Sequence, residues 1–173
     1  MRILETKVYK FGELDDKAKE KALQWWAEGY DYGWGGEAVD SLKAFVDLFG
    51  VRIVDYSLDY GGPSSIRLRV PDDLEDLKGN RLRTWIVNHV DAKLLKGAYG
   101  LTGFCFDEDL LGPVNAFLKN PGKAVALEDL IKDGFYILAK SVASDYEYQT
   151  YGEGAIEAIE ANEYEFTADG KRI

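Results

Sequence analysis

The sequence is short of the residues that most often carry chemistry. Its 173 residues include one cysteine, Cys105, and one histidine, His89. A lone cysteine excludes an intrachain disulfide and fits a reducing, cytosolic setting. A lone histidine excludes a metal centre built on several imidazoles. No apolar run approaches the ~20 residues needed to cross a bilayer, and the opening MRILETKVYKF has no apolar signal core. The expectation is a soluble protein acting inside a cell. Gly33, Gly35 and Gly36 are interrupted by Trp34 and followed by no Lys-Ser/Thr pair, so they do not make a phosphate loop. Cations are missing from one long stretch: residues 141–170 contain no Lys and no Arg.

That same stretch holds eight carboxylates: Asp145, Glu147, Glu153, Glu157, Glu160, Glu163, Glu165 and Asp169. The formal net charge of the chain is -10, so this segment supplies most of the imbalance. Such a surface repels nucleic acid and anionic membrane and attracts basic partners. The hydrophobic fraction is 46% with 13% aromatic residues, enough for a real core. A chain of this length buries roughly 70% of the surface its unfolded form exposes. One domain spanning 1–173 is expected, with a small helical C-terminal lobe at 126–162 as the variant.

Periodicity outlines an α+β fold, a small antiparallel sheet packed by several helices. Residues 2–11 alternate as a strand, with Leu4, Thr6 and Val8 on one face. A helix follows, N-capped by Asp15 and striped by Ala18, Ala22, Trp25, Trp26 and Gly29. A second, near 37–49, carries Leu42, Phe45, Val46 and Phe49, and Gly50 stops it. Residues 51–60 and 64–70 read as a hairpin. Val54, Tyr56, Leu58 and Tyr60 would face the core with Ile66, Leu68 and Val70 across a three- or five-residue loop at Gly61–Gly62–Pro63; with five residues Asp59 opposes Arg67 and Ser57 opposes Arg69. Pro71 ends it. Helices are expected near 80–96 (Leu82, Trp85, Ile86, Val90, Leu94), 107–118 and 126–149 (Leu127, Leu130, Ile131, Leu138, Val142), then one with Ile156 and Ile159. Residues 98–106 read as a strand or buried loop. Residues 163–167 alternate as a closing strand beside the first, with Tyr164 and Phe166 inward. Trp25, Trp26 and Trp85 are expected in the core.

Each candidate site has a plain structural reading beside it. His89 lies beside an apolar stripe, and Asp91, two residues on, points apart from it on a helix, so a structural or surface histidine is expected. Cys105 sits between Phe104 and Phe106, which suggests a buried, inert thiol. Asp72, Asp73, Glu75 and Asp76, and then Asp107, Glu108 and Asp109, lack the alternation of a calcium loop and precede or open helices, where carboxylates favour the dipole. No metal, cofactor or catalytic residue is expected. Tyr30, Tyr32 and Trp34 form an aromatic connection with no Lys or Arg between Ala22 and Glu37, which points to a protein contact rather than to nucleic acid. Glu153, Glu157 and Glu160 fall at i, i+4 and i+7, one helical stripe. Their plain reading is a solvated face that aids solubility; with Asp145 and Glu147 they are also the best candidates for a docking face that imitates the phosphate row a nucleic-acid-binding protein grips.

Three segments carry a resemblance. VYKFGELDDKAKEKALQWW near the start, FCFDEDLLGPVNAFLKNP in the interior and SDYEYQTYGEGAIEAIEANEYEFTADGKRI at the end together are similar to a family of small acidic accessory proteins of bacteriophages and prophages, described as antitoxin-like or anti-defence. The resemblance implies an origin in virus–host conflict and carries over no catalytic residue. The expectation is a phage-encoded inhibitor, acting in the host cytoplasm, of a nucleic-acid-dependent defence complex such as a CRISPR effector (an anti-CRISPR) or a restriction enzyme. Its partner would be a basic host protein or ribonucleoprotein, with no direct nucleic-acid binding and no membrane. An antitoxin-like protein is the second reading and a carboxylate-dependent hydrolase the third.

Overall fold

The computed structural model describes residues 7–95 and 100–173. In chain order they form β1 (Tyr9–Lys10), a 3-10 turn (Phe11–Glu13), α1 (Asp16–Gly29), α2 (Gly35–Asp47), β2 (Arg52–Ser57) and β3 (Ser65–Arg69). Then come α3 (Asp72–Glu75), α4 (Gly79–His89), α5 (Ala92–Leu95), α6 (Phe106–Lys119), α7 (Leu127–Thr150), α8 (Glu153–Ala161) and β4 (Glu165–Phe166). The fold is α+β, as the periodicity implied, but the strands make two separate antiparallel pairs, β1 with β4 and β2 with β3. The chain divides into two compact units. A terminal unit joins Met1–Tyr32 to Ser144–Ile173, and a central unit holds Gly33–Ala143. The segment 126–162 is not one of these units, because the division falls within α7 and the residues after it fold with the N-terminal segment.

The terminal unit is closed by β1 and β4, with Tyr9 opposite Phe166 and Lys10 opposite Glu165. Of the strand expected at 2–11, only Tyr9–Lys10 is strand among the described residues: Phe11 already turns into the 3-10 segment, Val8 is exposed, and Leu4 and Thr6 lie outside the described residues. Asp15 caps α1, its carboxylate accepting the Ala18 N–H at 2.8 Å. Ala18 and Ala22 then pack with Phe11, Leu14, Ile159 and Phe166 in one core, while Gly29 is exposed. Trp25 and Trp26 rim this core and are only half-buried, because the small Ala18 and Ala22 occupy the closest approach and leave the indoles at the edge. Trp25 meets Tyr164 and Phe166 edge-on at 5.3 and 5.9 Å.

In the central unit α2 buries Leu42, Phe45 and Val46 and packs on α6. Gly50, with φ +64, adopts the left-handed conformation that stops the helix. The Val51 N–H reaches the Val46 carbonyl at 3.2 Å and the Gly50 N–H reaches Asp47 at 3.1 Å, a Schellman pair. The hairpin departs from the simple alternation. Ile53 opposes Leu68 and Asp55 opposes Arg67, with a bulge between them. One extra residue shifts every side chain beyond it to the other face. Val54 is therefore exposed and Ile53 takes its place, Tyr56 also stays largely exposed, Asp55 rather than Asp59 pairs with Arg67 at 3.6 Å, and Ser57 opposes Ser65. Asp59 instead folds the loop, its carboxylate accepting the N–H groups of Gly61 and Gly62 at 2.9 Å.

The helix expected at 80–96 breaks after His89, where Val90 is extended (φ -103, ψ 130) and α5 begins anew. Leu82 and Ile86 are fully buried, whereas Trp85 is half-exposed. The apolar stripe of α7, from Leu127 to Val142, is buried as its spacing required.

Candidate functional site

The carboxylates of residues 141–170 separate into two sets. Glu165 and Asp169, near the end of the chain, are engaged. Glu165 lies 3.4 Å from the Lys10 ammonium, which also donates to the Glu163 carbonyl at 2.8 Å. Asp169 accepts from the Thr167 hydroxyl at 2.6 Å and pairs with Lys21 at 3.3 Å, and these two contacts, the hydroxyl first, hold its carboxyl below the usual value. Arg172 lies over the rings of Tyr164 and Trp25, at 4.6 and 5.2 Å.

The α8 set is different. Glu153, Glu157 and Glu160 are all exposed, and among the described residues none lies within ion-pair distance of a cation. At about 100° per residue the three point one way, nearly opposite the buried Ala155 and Ile159 that pin α8 to the terminal core. Their positions rise by about 6 Å and then about 4.5 Å along the axis. The result is one negative charge per roughly 5 Å, against about 3.4 Å per phosphate along one DNA strand.

The corner between α7 and α8 extends this face. The N–H groups of Tyr151 and Gly152 both reach the Glu147 carbonyl, at 2.9 and 3.0 Å, and end α7. A Cβ at Gly152 would come within 2.9 Å of the Tyr148 backbone, and one at Gly154 within 2.7 Å of the Tyr148 ring, so the two glycines let the chain fold back tightly. The corner presents Glu147 together with two exposed tyrosines, Tyr148 and Tyr151. Sequence reasoning passed over both tyrosines. Their signal was the run Tyr146–Tyr148–Tyr151 between acids, but α7 is striped by buried residues and no helical wheel says which aromatics its last turn leaves outside.

The remaining proposed contact residues do not join this face as free groups. The Tyr32 hydroxyl donates to the Asp145 carboxylate at 2.9 Å, and its ring meets Tyr146 edge-on at 5.6 Å. Tyr30 is half-buried beside Trp26, and burial, then the Asp145 charge, push its phenol up. The Trp26 indole N–H donates to the Gln149 carbonyl at 2.9 Å. Tyr30, Tyr32 and Asp145 thus brace α1 against the end of α7. Trp34 is 49% exposed and belongs to the central unit.

Two other residues contradict their sequence reading. Cys105 is exposed, because Phe106 alone is taken into the core while the loop turns the thiol outward. Asp107 is fully buried. It accepts the N–H groups of Leu101, Thr102 and Gly103 at 3.1, 2.9 and 3.1 Å and the Thr102 hydroxyl at 2.9 Å, and that hydroxyl contacts Ser41 at 2.8 Å. Burial raises its pKa, but these donors outweigh it and hold the carboxyl below its usual value. His89 stacks on Trp85 at 4.6 Å. Among the described residues no group of three or more His, Cys, Asp or Glu side chains could hold a metal ion. No described helix is long and apolar enough to cross a membrane.

The α7–α8 face offers negative charge without ion-pair partners among the described residues, and two exposed tyrosine rings. No protein-family model, curated protein or solved structure matches this chain.

Proposed function

We propose that this chain is an inhibitor that occupies the nucleic-acid-gripping surface of a host defence complex, a CRISPR effector or a restriction enzyme, through the face formed by α8 and the end of α7. The observation that carries the reading is the stripe of Glu153, Glu157 and Glu160, exposed and, among the described residues, without cation partners, on a unit whose Lys10 and Lys21 serve other carboxylates. A Lys/Arg-lined groove is the complement of such a stripe, because it already gives up hydration and counterions to a phosphate row. Tyr148 and Tyr151 add the aromatic contact area in which interfaces are enriched. The class of target, and action in the host cytoplasm, rest on the resemblance of three segments to small acidic phage proteins. No reaction is assigned to the chain.

A gel-shift assay tests this reading. Purified chain added to a defence nuclease before its target DNA should abolish the shifted band, and capture of the chain by the nuclease without DNA should weaken as salt is added, because screening slows the electrostatic association. An undiminished band with every CRISPR effector and restriction enzyme of the host would contradict the proposal. Neutralisation of an adjacent toxin would then favour the antitoxin-like reading.

A further inference from the structure

We propose that the outward face of α4, in the central unit, binds a nucleobase together with its adjoining phosphate. This inference is independent of the acidic face. It begins with charge. Residues 77–90 contain no Asp or Glu but carry Lys78, Arg81 and Arg83, in a chain with 31 acidic residues. At the chain's own average about two to three acids would fall in a segment of that length. The Arg83 guanidinium is turned away, donating to the Leu118 carbonyl at 2.9 Å. Arg81 is exposed and, among the described residues, has no ion-pair partner.

Shape adds to charge. A depression of about 510 Å³ lies along this face, lined by Asn80, Arg81, Thr84, Trp85, Asn88 and His89 among others. That volume is within the roughly 300–1,000 Å³ of small-molecule sites. Its aromatic element is ordered. The Trp85 and His89 rings stack at 4.6 Å with only 10° between their planes, and His89 Nδ1 lies 2.8 Å from the Trp85 carbonyl. A carbonyl can only accept, so Nδ1 is the donor and the ring is held flat. His89 is exposed, so its far face is the open end of a two-ring stack. A planar base can extend that stack. Asn88 offers both a donor and an acceptor for a base edge, and Arg81, two turns back on the same side, offers a fork for a phosphate.

The net charge of -10 argues against a broad nucleic-acid footprint, not against a local one. At physiological salt, charges beyond a Debye length of about 8 Å are largely screened, so the set that counts is Lys78, Arg81 and Arg83 against Asp76 and Asp91 at the two ends of the segment. Affinity should therefore sit on the order of 10⁻⁴–10⁻⁶ M, the range of unspecific binding.

The test is fluorescence anisotropy of a short fluorescein-labelled oligodeoxythymidylate titrated with the full chain, with thymidine monophosphate as competitor. We expect saturable binding. His89→Ala and Trp85→Ala should weaken it roughly 5- to 150-fold, the range for losing an aromatic under a base. Arg81→Glu, at an exposed position that leaves folding intact, should weaken it at least as much. Displacement by millimolar thymidine monophosphate identifies a free-nucleotide site, and displacement only by unlabelled oligonucleotide identifies a strand site. Either supports the proposal. No anisotropy change, wild-type affinity in both Arg81→Glu and His89→Ala, or equal displacement by poly-glutamate would overturn it.

Discussion

Asp107→Ala removes a buried acceptor on which a whole loop is folded. In the native chain three backbone N–H groups and one hydroxyl converge on this carboxylate within 3.1 Å, and the side chain has no exposure. Hydrogen bonds to a charged group contribute about 1.5–3 kcal/mol each, and stranded buried donors cost about 1–3 kcal/mol each. The four are not additive, since the loop can open and let water reach the freed groups, so the expected loss is about 3–5 kcal/mol, the range for breaking a buried charged network. Asp107→Asn keeps one acceptor oxygen and should lose about half as much. Urea unfolding followed by circular dichroism measures both. The pH dependence supplies a second check. The folded carboxyl titrates below its unfolded value of about 3.9, so its contribution is fully present above that value and is lost as pH falls through the lower, folded one. The stability gap between wild type and Asp107→Asn should therefore be constant above about pH 5 and shrink as the pH drops further. A loss under about 1 kcal/mol for Asp107→Ala, or a gap that widens in acid, would refute the reasoning.

Four further outcomes follow from burial and exposure. Phe166→Ala should destabilise by about 3–5 kcal/mol in chemical denaturation, since the ring is fully buried in the terminal core, and truncation after Asn162 should sharply reduce solubility by removing both β4 and that ring. Trp85→Ala should cost less than this range, because the indole is only half-buried. Cys105 should react fully with Ellman's reagent in the native state, and a thiol that titrates only after denaturation would contradict its exposed position.

Much of this fold could be read from local signals. Asp15 as N-cap, Gly50 as a left-handed stop, the pairing of the first and last strands and the stripe of α7 all follow from residue types at fixed spacing. The errors share a cause: each turned on an irregular backbone that side-chain periodicity does not show. The bulge before Asp55 moves Val54 outward, and nothing in the alternating run announces it. Asp107 resembles a solvated helix-start acid until the loop at 101–103 is seen folded onto it. The candidate face was half-legible. The spacing of Glu153, Glu157 and Glu160 placed them together on α8, while the loss of Asp145 to Tyr32 and the exposure of Tyr148 and Tyr151 depend on how α1 meets the end of α7.

The central claim is that the α8 stripe engages a basic target, and reversing its charge tests that most directly. The measurement is the plating efficiency of a sensitive phage on a host that carries the defence system and expresses either the wild-type chain or the triple variant Glu153→Lys, Glu157→Lys, Glu160→Lys. All three side chains are exposed and opposite the buried face of α8, so the variant should keep the wild-type circular-dichroism spectrum. The account predicts full protection of the phage by the wild type and none by the variant. A folded variant that protects as well as the wild type would reduce the stripe to solvated surface and contradict the claim.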